Sequence, residues 1–384
     1  MHPYLRWTNA KQEEIISFIQ EMVECESPSD SPNDVNRFVD LLIERTKDIA
    51  SSEVLQPDGF GKHLRLSFHS DGKSSSRHAD ESQILGVGHS DTVWPMGTLK
   101  TMPFRRASGR LWGPGVLDMK SGLAFFIYAV RALRDLDALS GKKIALLIVS
   151  DEEVGSRKSR NLTETEAKRS DCVLVLEPGT GLTGKLKTSR KGVGNYSIEI
   201  RGKAVHAGVD FPAGASAIVE AARQVQKIAE FTDLKRGTTV NPGLISGGTR
   251  TNVVAAEARI GVDVRVVRMR DAEALDRNFH SLRAVDRRCS IEVKGGLNRP
   301  PMERSKAIDK LFGKAKKLGR QLGVKVEESA TGGGSDGNFT AALGVPTLDG
   351  LGGVGEGAHA TNESILIDRI ADRTALLATL LANL

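Results

Sequence analysis

Cysteine is scarce and dispersed: the 384-residue chain has three, Cys25, Cys172 and Cys289, with no CxxC spacing. That excludes a disulfide-framed fold and a thiolate metal site, and it points to a reducing compartment. Aromatic residues make up only 5%, and the Lys and Arg behind the net charge of +6 are scattered rather than interleaved with them. A stacking-and-basic surface for nucleic acid is therefore not expected, and an anionic small substrate is the better use of the charge. No apolar run approaches membrane-spanning length, and the opening MHPYLRWTNAKQEE lacks the apolar stretch of a secretory signal. The expectation is a cytoplasmic protein that takes neither nucleic acid nor membrane as partner.

What is present reads as a globular chain too long for one comfortable core, so two domains are expected. Residues 11–25 place Ile15, Ile16, Phe18, Ile19, Met22 and Val23 on a helical stripe, and residues 35–49 restart one after SPSDSPND. HSDGKSSSRHADES reads as a solvated loop. ILGVGHS, KKIALLIVSDEE and DCVLVLEP are short, continuously apolar runs, the signature of strands covered on both faces, with a helix over 121–139 between them. This alternation predicts an α/β unit with a mostly parallel central sheet flanked by helices.

The texture changes after Lys191. GVGNYSIEIRGK alternates apolar and polar, a helix follows over 214–231, TTVNPGLISGG and NVVAAEARIGVDVRVV read as strands, then a helix over 271–287 and the strand CSIEVKGG. Strand–helix–strand–strand–helix–strand is a ferredoxin-like α+β order. The doubly covered style returns with a helix at 306–322 and a last helix from Asp368. The expected domains are thus 1–190 with 299–384, and an inserted 191–298.

Five stretches set an acidic residue or histidine beside glycine at the end of an apolar run. In GVGHSDTV, His89 ends a strand, and Asp91 two residues on can orient its imidazole; a structural histidine is the alternative. Asp118 sits in GPGVLDMKSG at the opening of a helix, either as an N-cap or as a carboxylate spanning two cations about 3.5–4 Å apart. Glu152 and Glu153 follow the strand IALLIVS. On an extended backbone they point to opposite sides, so one can coordinate while the other faces substrate as a base; a solvated acidic turn is the alternative. Glu177 ends VLVLEP, at the carboxyl edge where open α/β sheets gather their sites. His359 follows GEGA, and nothing local singles it out. Two imidazoles and three or four carboxylates on one sheet edge are what a pair of divalent cations needs.

In this order and with these flanks, the chain resembles the dizinc aminoacylase, acetylornithine deacetylase and carboxypeptidase G family of metallopeptidases over nearly its whole length. The resemblance implies that His89, Asp118 and Glu177 hold one zinc and that Asp118, Glu153 and His359 hold the other, with Asp118 bridging and Glu152 as general base. It also implies a cis peptide after Asp118. Ligation by nitrogen and oxygen suits zinc, with cobalt or manganese as substitutes. KAVHAGVDFPAGASA matches the family's inserted-domain motif, implying that His206 stabilises an oxyanion in a neighbouring subunit's site and that a homodimer forms through the inserted domain.

The tract TGGGSDGNFTAALGVPTLDGLGGVGEGAHATNE is most similar to the carboxypeptidase G branch, which removes C-terminal glutamate. By carry-over, Lys185, Arg265 and Arg299 would receive substrate carboxylates with Asn252 beside them, and Gly333 and Gly334 would supply backbone N–H groups. Departures occur at KTSRKG, which adds Arg190 and Lys191, and at DMKSG where many relatives have DMKGG. Placed near the mouth of the site, this basic pair favours an acidic leaving amino acid. The expected substrate is a small N-acyl amino acid or peptide. An N-acyl-amino-acid deacylase or dipeptidase on the same scaffold, and an inactive binding homologue, stay open. GxG pieces such as GVGHS open no helix over a phosphate, so a nucleotide site is not expected.

Overall fold

The computed structural model describes residues 1–68, 83–139 and 141–384, so the polar segment HSDGKSSSRHADES lies outside the described residues. Two compact units divide the chain: Met1–Ser189 with Arg304–Ala330 and Ser335–Leu384, and Arg190–Glu303 with Thr331–Gly334.

The first unit is built on a six-stranded sheet in the order Ala50–Leu55, His63–Phe68, Ile144–Val149, Gln83–His89, Ser170–Val175, Thr347–Leu348. The last four strands pair in parallel, and the first two join antiparallel at one edge. The apolar runs work as two-faced strands. Leu146, Ile148, Cys172 and Leu174 face one core, shared with the helices Gln12–Glu24, Ser121–Asp135, Lys306–Leu322 and Ile370–Asn383. Their neighbours Ala145, Leu147, Val149, Val173 and Val175 face a second, smaller core closed in part by Leu162 and Ala167 of the helix Arg160–Lys168. At about 1.5–3 kcal/mol for each large apolar side chain buried, this double burial is what holds the strands in register. All six stripe residues of the helix Gln12–Glu24 are buried.

Gly122, in the first turn of the helix Ser121–Asp135, sits against the end of the strand Ser170–Val175: a Cβ there would lie 2.1 Å from the Leu176 carbonyl oxygen. The helix start and the strand end therefore touch backbone to backbone.

A second, antiparallel sheet in this unit orders Gly355–Glu356, Ser364–Leu366, Arg110–Trp112 and Arg105–Ala107. Ser364 pairs with Trp112 and Ile365 with Leu111. The loops that carry Asp118 and His359 thus leave adjacent strands.

The other unit is a four-stranded antiparallel sheet in the order Thr239–Gly247, Glu257–Val266, Gly192–Arg201, Ser290–Arg299. Ile198, Ile200, Val262 and Val264 pack with Ala221 and Ile228 of the helix Ala217–Ala229 and with Leu275 and Phe279 of the helix Met269–His280. The Tyr196 and Phe279 rings stack with centroids 3.9 Å apart. The chain order is the ferredoxin-like one expected.

The helix read over 271–287 ends earlier, at His280. Glu220 accounts for this, because its buried carboxylate accepts the amides of Val285 (2.9 Å) and Asp286 (3.0 Å) and draws the chain out of the helix. NVVAA is not a strand but carries an isolated bridge from Val253 to His206; the strand begins at Glu257. The strand Thr239–Gly247 shifts register between Pro242 and Leu244, an irregularity an edge strand tolerates.

Candidate metal centre

Three parallel strands deliver the first residues. His89 ends Gln83–His89, Glu152 and Glu153 follow Ile144–Val149, and Glu177 follows Ser170–Val175, all at the carboxyl edge. The His89 imidazole is buried, with Nε2 3.2 Å from Asp118 Oδ1 and 3.8 Å from Glu177 Oε1. Its Nδ1 lies 2.8 Å from the backbone carbonyl of Asp91 and 3.6 Å from that residue's carboxylate. A proton on Nδ1 leaves Nε2 as the coordinating atom.

Asp91 therefore orients His89 through its main chain, not through its side chain as expected. The carboxylate has other work. It accepts from Ser29 Oγ at 2.7 Å and from the amides of Glu152 and Glu153 at 3.2 Å each. Those two glutamates lie in a turn, Glu152–Gly155, rather than on the extended backbone the sequence suggested, with Gly155 N bonded to Glu152 O. Asp91 pins that turn.

Asp118 lies in a wide helical turn, Val116–Lys120, with non-helical φ/ψ of −115° and 95°, and its peptide to Met119 is cis. The loop is held by a residue the sequence did not single out. The Glu363 carboxylate, fully buried, accepts the amides of Gly115 (2.9 Å), Leu117 (2.8 Å) and Asp118 (3.0 Å) and the Trp94 indole (2.8 Å). Four donors on one carboxylate leave the loop one position. Lys120 anchors it from below, its buried ammonium donating to the carbonyls of Met22 and Cys25 at 2.9 Å each. The only signal for Glu363 was its place in the tract GEGAHATNE.

His359 completes the set from the opposite side. Its Nε2 lies 3.3 Å from Asp118 Oδ2 and 3.2 Å from Glu153 Oε1. Its φ of 62° is left-handed, a conformation that costs a non-glycine residue about 1–3 kcal/mol and that its turn must hold. The two oxygens of Asp118 thus each face a different imidazole.

The charges are strongly coupled. Burial alone would lower the pKa of His89, but the carboxylates of Asp118, Asp91 and Glu152 outweigh it and hold it well above the ordinary value. Hydrogen bonds to Asp118 and Glu153 raise His359 to about 10. Burial opposes ionisation of Asp118, yet the two imidazoles keep its carboxyl far below the usual carboxylate range. Burial pushes Asp91 up to about 6. His89, Glu152 and Glu177 offer ligand atoms within 4.8 Å of one another, as do His89, Asp118 and Glu153. Every donor is an imidazole nitrogen or a carboxylate oxygen, and the buried Glu153 Oε1 stands 3.2 Å from His359 Nε2. This set fits divalent cations.

The remaining expected residues divide between the units. Lys185 belongs to the first, half-buried, its main chain paired with Thr180. His206, Asn252, Arg265, Arg299, Gly333 and Gly334 belong to the second. There His206 is exposed and its Nδ1 accepts from Gly208 N at 3.1 Å, while Asn252 O accepts from Ala207 N. Arg265 makes a two-pronged pair with Asp263, both bonds 2.9 Å, and Gly334 abuts Arg299. Arg190, expected as a basic residue at a pocket mouth, is instead buried, and its guanidinium donates to the carbonyls of Gly333 (3.1 Å) and Gly334 (3.0 Å).

A doubly covered parallel sheet with a His/Asp/Glu cage at its carboxyl edge defines a metal-dependent hydrolase. The sequence profile of peptidase family M20/M25/M40 matches residues 86–383, and the chain belongs to that family. It is 32% identical over 309 residues to carboxypeptidase G2 of Pseudomonas sp. (strain RS-16), covering 78% of this chain and 74% of that one. It is 28% identical over 303 residues to succinyl-diaminopimelate desuccinylase of Azoarcus sp. (strain BH72), covering 74% and 78%. Among solved structures, the YXEP protein of Bacillus subtilis, a dinuclear metal-binding peptidase of the M20 family, superposes with a TM-score of 0.67 at 14% identity, covering 97% and 98%. The chain is thus a peptidase-family hydrolase of the kind expected.

Two predictions follow from the cage. Metal-free protein holds His359 as a cation at neutral pH, and a divalent ion must displace that proton. The stabilisation from its raised pKa is fully present below 6.5 and lost as pH rises through about 10. Thermal unfolding of metal-free protein is therefore expected to fall across that window, and calorimetric zinc titration at pH 7 in two buffers should release about one to two protons; zero release would contradict the coupling. Separately, Glu363→Gln puts an NH2 donor against backbone amides. We expect metal affinity to drop about tenfold to a hundredfold with about 1–3 kcal/mol of destabilisation in urea, and unchanged affinity would remove Glu363 from the site's support.

Proposed function

We propose that the chain is a dizinc hydrolase that cuts the amide bond to a C-terminal acidic, glutamate-like amino acid. The observation that carries the two-metal reading is the Asp118 carboxylate, with Oδ1 3.2 Å from His89 Nε2 and Oδ2 3.3 Å from His359 Nε2. In this reading His89, Asp118 and Glu177 take one cation, and Asp118, Glu153 and His359 the other. When bound, the cations would supply an acidified water and polarise the scissile carbonyl. Glu152, whose carboxylate lies with His89 and Glu177, takes the proton of the attacking water and returns it to the departing amine. Asp91 keeps the Glu152 turn and the His89 ring in place. His206 is assigned to the oxyanion: with Nδ1 accepting from Gly208, Nε2 carries the donor proton. Arg265, Arg299, Lys185 and Asn252 are assigned to substrate carboxylates, with the Gly333–Gly334 turn that Arg190 braces.

The acidic preference is supported by the 32% identity to carboxypeptidase G2 and by the three arginines around one glycine turn. The 28% identity to a desuccinylase favours a second reading, an N-acyl-amino-acid deacylase on the same centre. A homodimer through the second unit is supported by its edge strand Thr239–Gly247, where Leu244 is 76% and Ile245 58% exposed. The three cysteines are free, in keeping with a cytoplasmic setting.

Glu152→Gln is expected to retain two zinc equivalents while kcat falls by about a thousandfold or more; activity near that of the parent would show that Glu152 is not the base. A panel of N-acyl-glutamate, -aspartate, -leucine and -ornithine should give its highest kcat/KM with glutamate. A neutral or cationic preference would sink the substrate assignment and leave the hydrolase. Sedimentation equilibrium should find a dimer that Leu244→Glu weakens by about tenfold or more, and a parent monomer would overturn the association.

A further inference from the structure

A buried guanidinium on the last helix belongs to none of the proposed ligands of the metal centre. Arg373, in the helix Ile370–Asn383, is 2% exposed. Its Nε donates to Gly352 O at 3.1 Å, its Nη1 to Gly184 O at 3.0 Å, and its Nη2 to Gly350 O. All three acceptors are neutral carbonyls. The adjacent carboxylate of Asp372 has its Oδ2 taken by Arg369 Nε at 2.8 Å. Removing a guanidinium from water is costly, and burial pushes this one down to about 10, which still leaves it charged at neutral pH. Charge-assisted bonds to three separate carbonyls are what offsets that cost.

Those carbonyls lie on two segments: Gly184 near the end of residues 176–185, and Gly350 and Gly352 on a stretch that pairs with the start of the same piece. Gly352 N donates to Glu177 O at 2.9 Å, and Gly179 N donates to Gly353 O at 2.8 Å. The fit is close, because a Cβ on Gly352 would stand 2.1 Å from Leu176 O. Gly184 closes the turn that follows, where Lys185 and Thr180 exchange main-chain bonds at 2.9 and 3.1 Å. One planar fork therefore holds residues 176–185 directly at Gly184, and at their start through the Gly350–Gly353 stretch that Glu177 and Gly179 pair with. Glu177 is the one cage carboxylate on that piece, and it stands beside His89. Glu153 and His359 lie on the other side of Asp118: none of the three carbonyls is in the Glu152–Gly155 turn, and His359 comes after the strand Gly355–Glu356, past the carbonyls of Gly350 and Gly352.

We propose that Arg373 is a positioning residue for Glu177, and through it for one of the two cation positions only. The proposal rests on the two-metal reading above. Zinc and cobalt binding to the full chain would be followed by equilibrium dialysis and by the absorption of the cobalt form, for the parent, Arg373→Met, Arg373→Lys, Glu177→Gln and the Arg373→Met/Glu177→Gln double variant.

The expected result for Arg373→Met is one equivalent at parental affinity and one weakened by about tenfold or more, with the cobalt spectrum altered for that site alone. The double variant should bind no more weakly than Glu177→Gln. Arg373→Lys, which keeps the charge but not the fork, should fall between. Two equivalents at parental affinity in Arg373→Met, or equal weakening of both, overturns the proposal. If Arg373→Met does not fold, Arg373→Lys decides: a loss confined to one equivalent supports the assignment, and none, or an equal loss of both, overturns it. A parent that binds fewer than two equivalents would instead refute the two-metal reading itself.

Discussion

Everything at this centre depends on one carboxylate being shared between two imidazoles. Asp118 faces His89 with one oxygen and His359 with the other, and Glu153 and Glu177 crowd in from either side. Gathering that many acids in a buried place is unfavourable unless positive charge compensates them. In the protein alone the lifted imidazoles supply it. A pair of divalent ions supplies it better, which is why the arrangement reads as a site and not as a misplaced acidic cluster.

The fold meets this demand by rigid means. Parallel strands buried on both faces bring His89, Glu152, Glu153 and Glu177 to one edge with no freedom to slip, since a one-residue shift would exchange the two cores. The irregular pieces are then fixed by buried polar groups, each satisfied several times over. Glu363 fixes the Asp118 loop, Asp91 fixes the turn of the two glutamates, and Arg373 fixes the piece that carries Glu177. Each of these groups acts on main-chain atoms, so what it sets is backbone position.

That division explains how much could be read in advance. The strands were legible because double burial leaves an unbroken apolar run, as in IALLIV, and the helix Gln12–Glu24 because its stripe repeats at helical spacing. Most cage residues were legible through their flanks: a strand ending in histidine, a pair of glutamates after another strand; His359 was legible only through the family resemblance. Of the bracing residues, Asp91 was legible beside His89, but Glu363 and Arg373 were not. Nothing near Glu363 or Arg373 in the chain marks them, because their partners are amides and carbonyls lying from about twenty to nearly 250 positions away. The same applies to Arg190, whose charge suggested a pocket mouth but whose partners are the carbonyls of Gly333 and Gly334. The short strands of the small sheet carry too few residues to show a period, and the turn at Glu152 was mistaken for extended chain because a strand precedes it.

The small sheet also sets how the centre comes apart. The loop of Asp118 leaves the strand Arg110–Trp112, and its neighbour in that sheet is Ser364–Leu366. Glu363 directly precedes that neighbour and accepts the amides of Gly115, Leu117 and Asp118, while His359, a few residues earlier, faces the second oxygen of Asp118. Peeling away one short strand therefore withdraws the carboxylate that holds the loop and the imidazole that compensates its charge together. The centre loses its shape as a unit, not one ligand at a time.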